Sequence, residues 1–126
     1  MGCDIHATIE VKNRDHPECG FSFAAKIELD RDYKMFSLMA GVRNYKELPQ
    51  VSPLRGIPND ASCRTKEEYN LLESDAHSSS FLYFYEYKNA VDFNSNYCTS
   101  YEACMRFMET YEQDNYETRI VFWFDN

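Results

Sequence analysis

A chain of 126 residues fits one domain, since domains run ~100–200 residues and folding at this size buries roughly two thirds of the unfolded chain's surface. With 44% apolar and 16% aromatic residues it carries ample core material and argues against disorder. Twenty-one acidic against thirteen basic residues leave a net charge of −8, which disfavours phosphate backbones and anionic lipid as partners and favours basic ones.

Residues 3–11 alternate, with Cys3, Ile5, Ala7, Ile9 and Val11 on one side and Asp4, His6, Thr8 and Glu10 on the other, as in a half-buried strand. A polar start at Asp4 and His6 is unlike a signal peptide, so the mature chain is expected to begin at Met1 or Gly2. No stretch approaches the ~18 apolar residues of a membrane span, and no membrane partner is expected. Residues 21–29 alternate again after a turn-rich stretch, and the pair predicts an antiparallel hairpin whose free edge invites self-association. Asp30 or Asp32 is placed to cap a helix reaching about Val42, closed by Gly41 and Asn44.

Pro49, Pro53, Gly56 and Pro58 punctuate a connection longer than compact domains usually tolerate outside binding loops. Thr65 with Glu68 and Thr99 with Glu102 have capping-box spacing, predicting helices over about 66–74 and 100–113. The aromatic run 81–87 reads as a strand, with a helix starting after Ser80 as the alternative, and 117–124 as a final strand. The expected fold is thus a single α+β domain over 1–126: a small antiparallel sheet, built from the N-terminal hairpin and the C-terminal strand, with helices packed on one face.

Five cysteines at irregular spacing form no Cys-x-x-Cys pair and read as free thiols of a reducing compartment. No Gly-rich phosphate loop or nucleophile elbow is present, which sets aside Walker-type nucleotide triphosphatases and Ser/His/Asp hydrolases. Asp4-x-His6 and Asp75-x-His77 are two like pairs, the second followed by Ser78, Ser79 and Ser80. Brought together, the four could hold a divalent metal or serve as acid and base in catalysis. Apart, Asp4, His6, Thr8 and Glu10 form the solvated face of an edge hairpin, and Asp75 and His77 cap a helix end. Arg43 with Asn44, Arg55 and Arg119 offer guanidinium forks suited to phosphate, with internal ion pairs as the alternative, and Phe81 and Tyr83 could stack a base or fill a core.

Six segments together carry a resemblance: Gly2-Cys3-Asp4-Ile5-His6, Asp30-Arg31-Asp32-Tyr33, Val42-Arg43-Asn44, Arg55-Gly56-Ile57-Pro58, Asp75-Ala76-His77-Ser78 and Arg119-Ile120-Val121-Phe122-Trp123-Phe124-Asp125-Asn126. In this order, over nearly the full length, the chain resembles a family of short, mostly uncharacterised tailed-bacteriophage proteins. The resemblance implies an accessory protein of counter-defence type in the cytoplasm of an infected bacterium. The family pattern carries a second histidine where this chain has Ser79, a departure that weakens a metal site. The leading functional expectation is a protein that binds, or binds and cleaves, a nucleotide-type ligand: Arg43, Asn44, Arg55, Ser78, Ser80, Arg119, Tyr83 and Phe81 would hold it, and His6, His77, Asp4 and Asp75 would act if it is an enzyme. One alternative is an acidic blocking protein that turns Glu67, Glu68, Glu73, Glu109, Glu112 and Asp114 toward a basic host protein. The other is a metal-dependent hydrolase on the two Asp-x-His pairs.

Overall fold

The computed structural model describes residues 2–126, apart from the side chain of Glu73. Four antiparallel strands, β1 (Asp4–Asn13), β2 (Ser22–Ile27), β3 (His77–Tyr83) and β4 (Tyr116–Asp125), form one sheet in the order β2-β1-β4-β3. Four α-helices accompany it: α1 (Tyr33–Ala40), α2 (Cys63–Asn70), α3 (Phe84–Phe93) and α4 (Thr99–Gln113). The α+β class expected from the sequence is the class observed.

Period-two alternation gives the sheet two unlike faces. On the helical face, Ile5, Ala7, Ile9 and Val11 of β1 meet Ile120, Phe122 and Phe124 of β4, and α1, α3 and α4 close over them with Phe36, Leu38, Met39, Tyr87, Tyr101 and Met108. On the polar face, β1 presents His6, Thr8 and Glu10 beside Trp123, Val121 and Arg119 of β4. This face is also covered. α2 lies across it, with Thr65 Oγ1 2.9 Å from Thr8 Oγ1 and the Tyr69 ring edge-on to Trp123 at 5.3 Å. Three helices therefore share one face, as expected, while the short, polar α2 crosses the other.

Local chemistry accounts for most element ends. Asp32 caps α1 by accepting from the Met35 amide at 3.1 Å, and Gly41 closes it in the left-handed region at φ 69°. The other carboxylate oxygen of Asp32 accepts from Asn94 Nδ2 and the Cys98 amide, which fastens the start of α4 to α1. The two expected capping boxes are not the ones formed. α2 begins earlier, capped by Ser62, because Thr65 turns its hydroxyl toward Thr8. At α4, Glu102 instead bonds the Tyr97 hydroxyl and Arg106.

The aromatic run divides: its strand ends at Tyr83 and α3 starts at Phe84, where Glu86 reaches back to accept from the Tyr83 amide at 3.0 Å. A helical stripe of Glu86, Tyr87, Ala90 and Val91 was present in the sequence, but the alternation of 81–87 masked it. The long connection 41–62 leaves α1, passes the free edge of β3 through Gly56 N–H to the Ser79 carbonyl at 3.0 Å, and arrives on the polar face.

At the centre of that face, Glu10 and Arg119 are paired across β1 and β4, 0% and 2% exposed. Arg119 Nε donates to Glu10 Oε1 at 2.8 Å, and Glu10 Oε2 accepts from the Ser62 amide at 2.7 Å. Removing one member of such a pair strands a buried charge, so Glu10→Ala should lower the unfolding free energy by about 3–5 kcal/mol in urea denaturation. Asp60, whose side chain is 66% exposed and which contacts Arg119 Nη1 at 3.0 Å, is the control: Asp60→Asn should change stability by about 1 kcal/mol or less.

Candidate functional site

The connection from Arg55 to Asp60 descends onto the polar face and leaves a cleft of about 400 Å³ against β3 and β4. Arg55 and Arg119 line it with Lys12, and Phe21, Phe81 and Tyr83 supply rings. The cations and rings alternate. The Arg119 guanidinium lies 3.8 Å over the Phe21 ring and 5.6 Å from Phe81, and that of Arg55 lies 5.2 Å from Phe81 and 5.6 Å from Tyr83. Each such contact contributes about 0.5–2 kcal/mol depending on desolvation, so the series is a stiff wall rather than a set of mobile side chains. Beyond the cleft the wall continues to Tyr85, parallel to Tyr83 within 3° and 64% exposed.

Each guanidinium is anchored from behind. Arg55 forks onto Glu86 at 2.7 and 2.6 Å and donates to the Phe81 carbonyl at 2.9 Å. Burial pushes the Glu86 carboxyl up, but the Arg55 hydrogen bonds, the Tyr83 amide and the charge of Arg55 outweigh it and hold the group below its ordinary range. Arg119 is fixed by Glu10, and Lys12 reaches Glu117 at 3.0 Å. Among the lining residues the one carboxylate is Asp60, at the solvent side of Arg119.

Of the ligand-binding residues expected from the sequence, Arg55, Arg119, Phe81 and Tyr83 meet in this cleft. Ser80 supports it from beneath: buried, its hydroxyl accepts from the Arg55 amide at 3.0 Å. Ser78 is turned away, in the left-handed region at φ 55° with its hydroxyl 3.0 Å from His77 Nδ1. Arg43 and Asn44 lie outside it, after α1: Arg43 faces the Tyr33 ring at 5.4 Å, and Asn44 clamps Leu48 through both its amide and its carbonyl. Lys12, Phe21, Asn59 and Asp60 join the cleft unforeseen. Their only sequence signal was membership of the hairpin and the long connection.

The two Asp-x-His pairs do not converge. His6 is opposite Trp123 and His77 opposite Phe124, adjacent residues of β4 whose side chains point to opposite faces, so the histidines are separated by the sheet itself. His6 Nε2 is 3.4 Å from Asp125 Oδ2 and its ring stacks on Trp123, while His77 Nε2 is 3.2 Å from Asn126 Oδ1. Asp4 is occupied by Arg31 at 2.6 and 3.2 Å, a hydrogen bond that holds its carboxyl low, and Asp75 is exposed at the end of a short 3-10 turn. Among the described residues no three His, Cys, Asp or Glu side chains stand together as metal ligands. The expected solvated face is likewise corrected, since Thr8 and Glu10 are buried beneath 53–72.

The acidic blocking surface is divided too. Glu67 and Glu68 belong to α2 on the polar face, and Glu109, Glu112 and Asp114 to α4 and its end on the helical side. Glu68 is engaged by Lys26 and Arg64, and Glu112 by Arg14 and Thr118; the side chain of Glu73 lies outside the described residues. Among the described residues no helix is long and apolar enough to cross a membrane, and all five cysteines are unbridged.

The Arg55–Glu86 fork gives the cleft a pH signature. A carboxyl held below its unfolded value near 4.5 stabilises the fold above that pH, and the contribution disappears as pH falls through the lower folded value. Glu86→Gln should therefore cost about 2 kcal/mol at pH 7 and progressively less below pH 4.5, as read from urea midpoints. A gap that stays constant down to pH 3 would show that the pair does not carry it. Comparison of the chain with family models, with curated proteins and with solved structures found no match.

Proposed function

We propose that the protein binds a small, ring-bearing anion of the nucleotide type in the polar-face cleft. The observation that carries the reading is the alternating wall of guanidiniums and rings ending at an exposed carboxylate on Arg119. Asp60 stands where a ligand phosphate would. Its pairing with Arg119 is solvent-facing and weak, so a dianion can take its place with little loss. Tyr83, with Tyr85 beyond it, offers a flat surface to a base, and a cleft of about 400 Å³ has the volume for a mononucleotide.

Binding is the better reading than cleavage. His6 and His77 lie outside the cleft, and the Arg55 and Arg119 forks are locked by Glu86 and Glu10, which suits holding a charge rather than moving a proton. In the phage setting that the resemblance implies, such a protein would act by sequestering a nucleotide signal of host immunity, a role assigned by analogy of setting and not by fold.

Isothermal titration against a panel of linear and cyclic mono- and dinucleotides tests the proposal. Tyr83→Ala should weaken the best ligand roughly 10- to 100-fold through lost stacking. Asp60→Asn should tighten it by up to about tenfold, because the ligand no longer competes with an internal carboxylate. No heat with any nucleotide at ~1 mM, or an unchanged affinity in both variants, would remove the cleft as the site.

A further inference from the structure

Away from the cleft, three side chains are linked at the start of β3. Ser78 Oγ is 3.0 Å from His77 Nδ1, and His77 Nε2 is 3.2 Å from Asn126 Oδ1. An amide oxygen only accepts, so the Nε2 that faces Asn126 carries the ring proton. Nδ1 of the neutral imidazole is then bare and accepts from the Ser78 hydroxyl. Hydroxyl, imidazole and amide thus stand in the order of a nucleophile, its base and the group that orients the base.

Successive residues of an extended strand point to opposite faces, so a serine does not ordinarily meet the histidine before it. Here the strand is interrupted. His77 pairs with Phe124 and Ser80 with Phe122, which sets Ser78 and Ser79 against the single residue Trp123 and turns Ser78 into the left-handed region at φ 55°. That conformation is costly for a residue with a Cβ and is ordinarily left to glycine or asparagine. A strained turn that aims a hydroxyl at its base is what a nucleophile elbow provides between strand and helix, and a bulge provides it here without that motif. The bond joins adjacent residues and ties no two elements together. Other serine hydroxyls serve the fold: Ser37 donates to the Tyr33 carbonyl, Ser62 caps α2, and Ser80 accepts from the Arg55 amide. The His77 ring is steadied against Phe124, 6.1 Å away and inclined by 27°. Ser78 and His77 are half-buried on an edge strand and Asn126 is exposed, so the group is reached from solvent.

We infer that Ser78 is the nucleophile of a second site, which hydrolyses carboxylic esters bearing a small acyl group. The Ser78 hydroxyl oxygen adds to the ester carbonyl carbon as its proton passes to His77 Nδ1. The bond from that carbon to the alcohol oxygen breaks, and the alcohol leaves with the proton. Water then adds to the acyl-serine and gives a proton to Nδ1, and the proton returns to Ser78 Oγ as the acid departs. Asn126 is a positioning residue that keeps the ring proton on Nε2. The open place at the sheet edge suits a small acyl group, which needs no deep enclosure. None of the three residues lines the cleft, so this activity is independent of the ligand proposed there.

The probe is p-nitrophenyl acetate, given to the full-length protein, with nitrophenolate release followed by absorbance and the acetylated residue located by peptide mass spectrometry. Acetyl should appear on Ser78, and the protein-dependent rate should fall at least about tenfold in Ser78→Gly and in His77→Gln. Glycine adopts a φ of 55° without strain, so Ser78→Gly should also unfold at an equal or higher temperature than the parent, which a structural role for this serine does not allow. Asn126→Ala should lower kcat several-fold with KM unchanged, and Asn126→Asp should restore it, because a carboxylate also accepts from Nε2. His16→Gln, at an exposed turn, should change nothing. Acetyl confined to lysines or to the exposed thiols of Cys19 and Cys63, or a Ser78→Gly rate within about twofold of the parent, would overturn the assignment.

Discussion

A carboxylate and a guanidinium face each other in the middle of the sheet, and the rest of the polar face is arranged to make that tolerable. Glu10 and Arg119, 109 residues apart in the chain, are opposite each other by register, and both are almost wholly buried. Desolvating two charges costs several kcal/mol per ion unless geometry and extra hydrogen bonds offset it. The Ser62 amide, Asp60 and the faces of Phe21 and Phe81 supply those contacts. Three of the four come from the connection before α2 or from the β1–β2 hairpin, so the pair dictates that these segments close over the sheet.

The cleft follows from that closure. Once the connection is anchored at Ser62 and at Ser79 and Ser80, its Arg55–Asp60 stretch cannot lie flat, and a gap opens between it and the strands. The side chains bounding the gap are those that stabilise the pair, together with Arg55 and its Glu86 partner. On the proposed function, structure and binding draw on the same groups. Rigidity is the advantage of this arrangement, since a ligand meets side chains already held in place.

Charge distribution gives the cleft its character. At the cleft, each cation already has a carboxylate, and of these only that of Asp60 is exposed. The surplus of negative charge over the whole molecule does not cancel the local field there, because beyond about 8–10 Å such charges are attenuated by salt and the nearest cations dominate.

Local physics wrote much of this fold into the sequence. Alternation from Cys3 to Val11 and in Arg119–Phe124 gave two strands their faces; Asp32 and Gly41 bounded α1; the punctuated connection announced a long loop. Such signals depend on neighbours within a turn or a strand, and a chain carries them wherever it goes. Alternation, however, names two faces without saying what covers either. Only the folded sheet decided that Glu10 is buried, that Phe84 begins a helix, that Arg43 and Arg55 line different hollows, and that His6 and His77 point away from each other because their partners on β4 are successive residues.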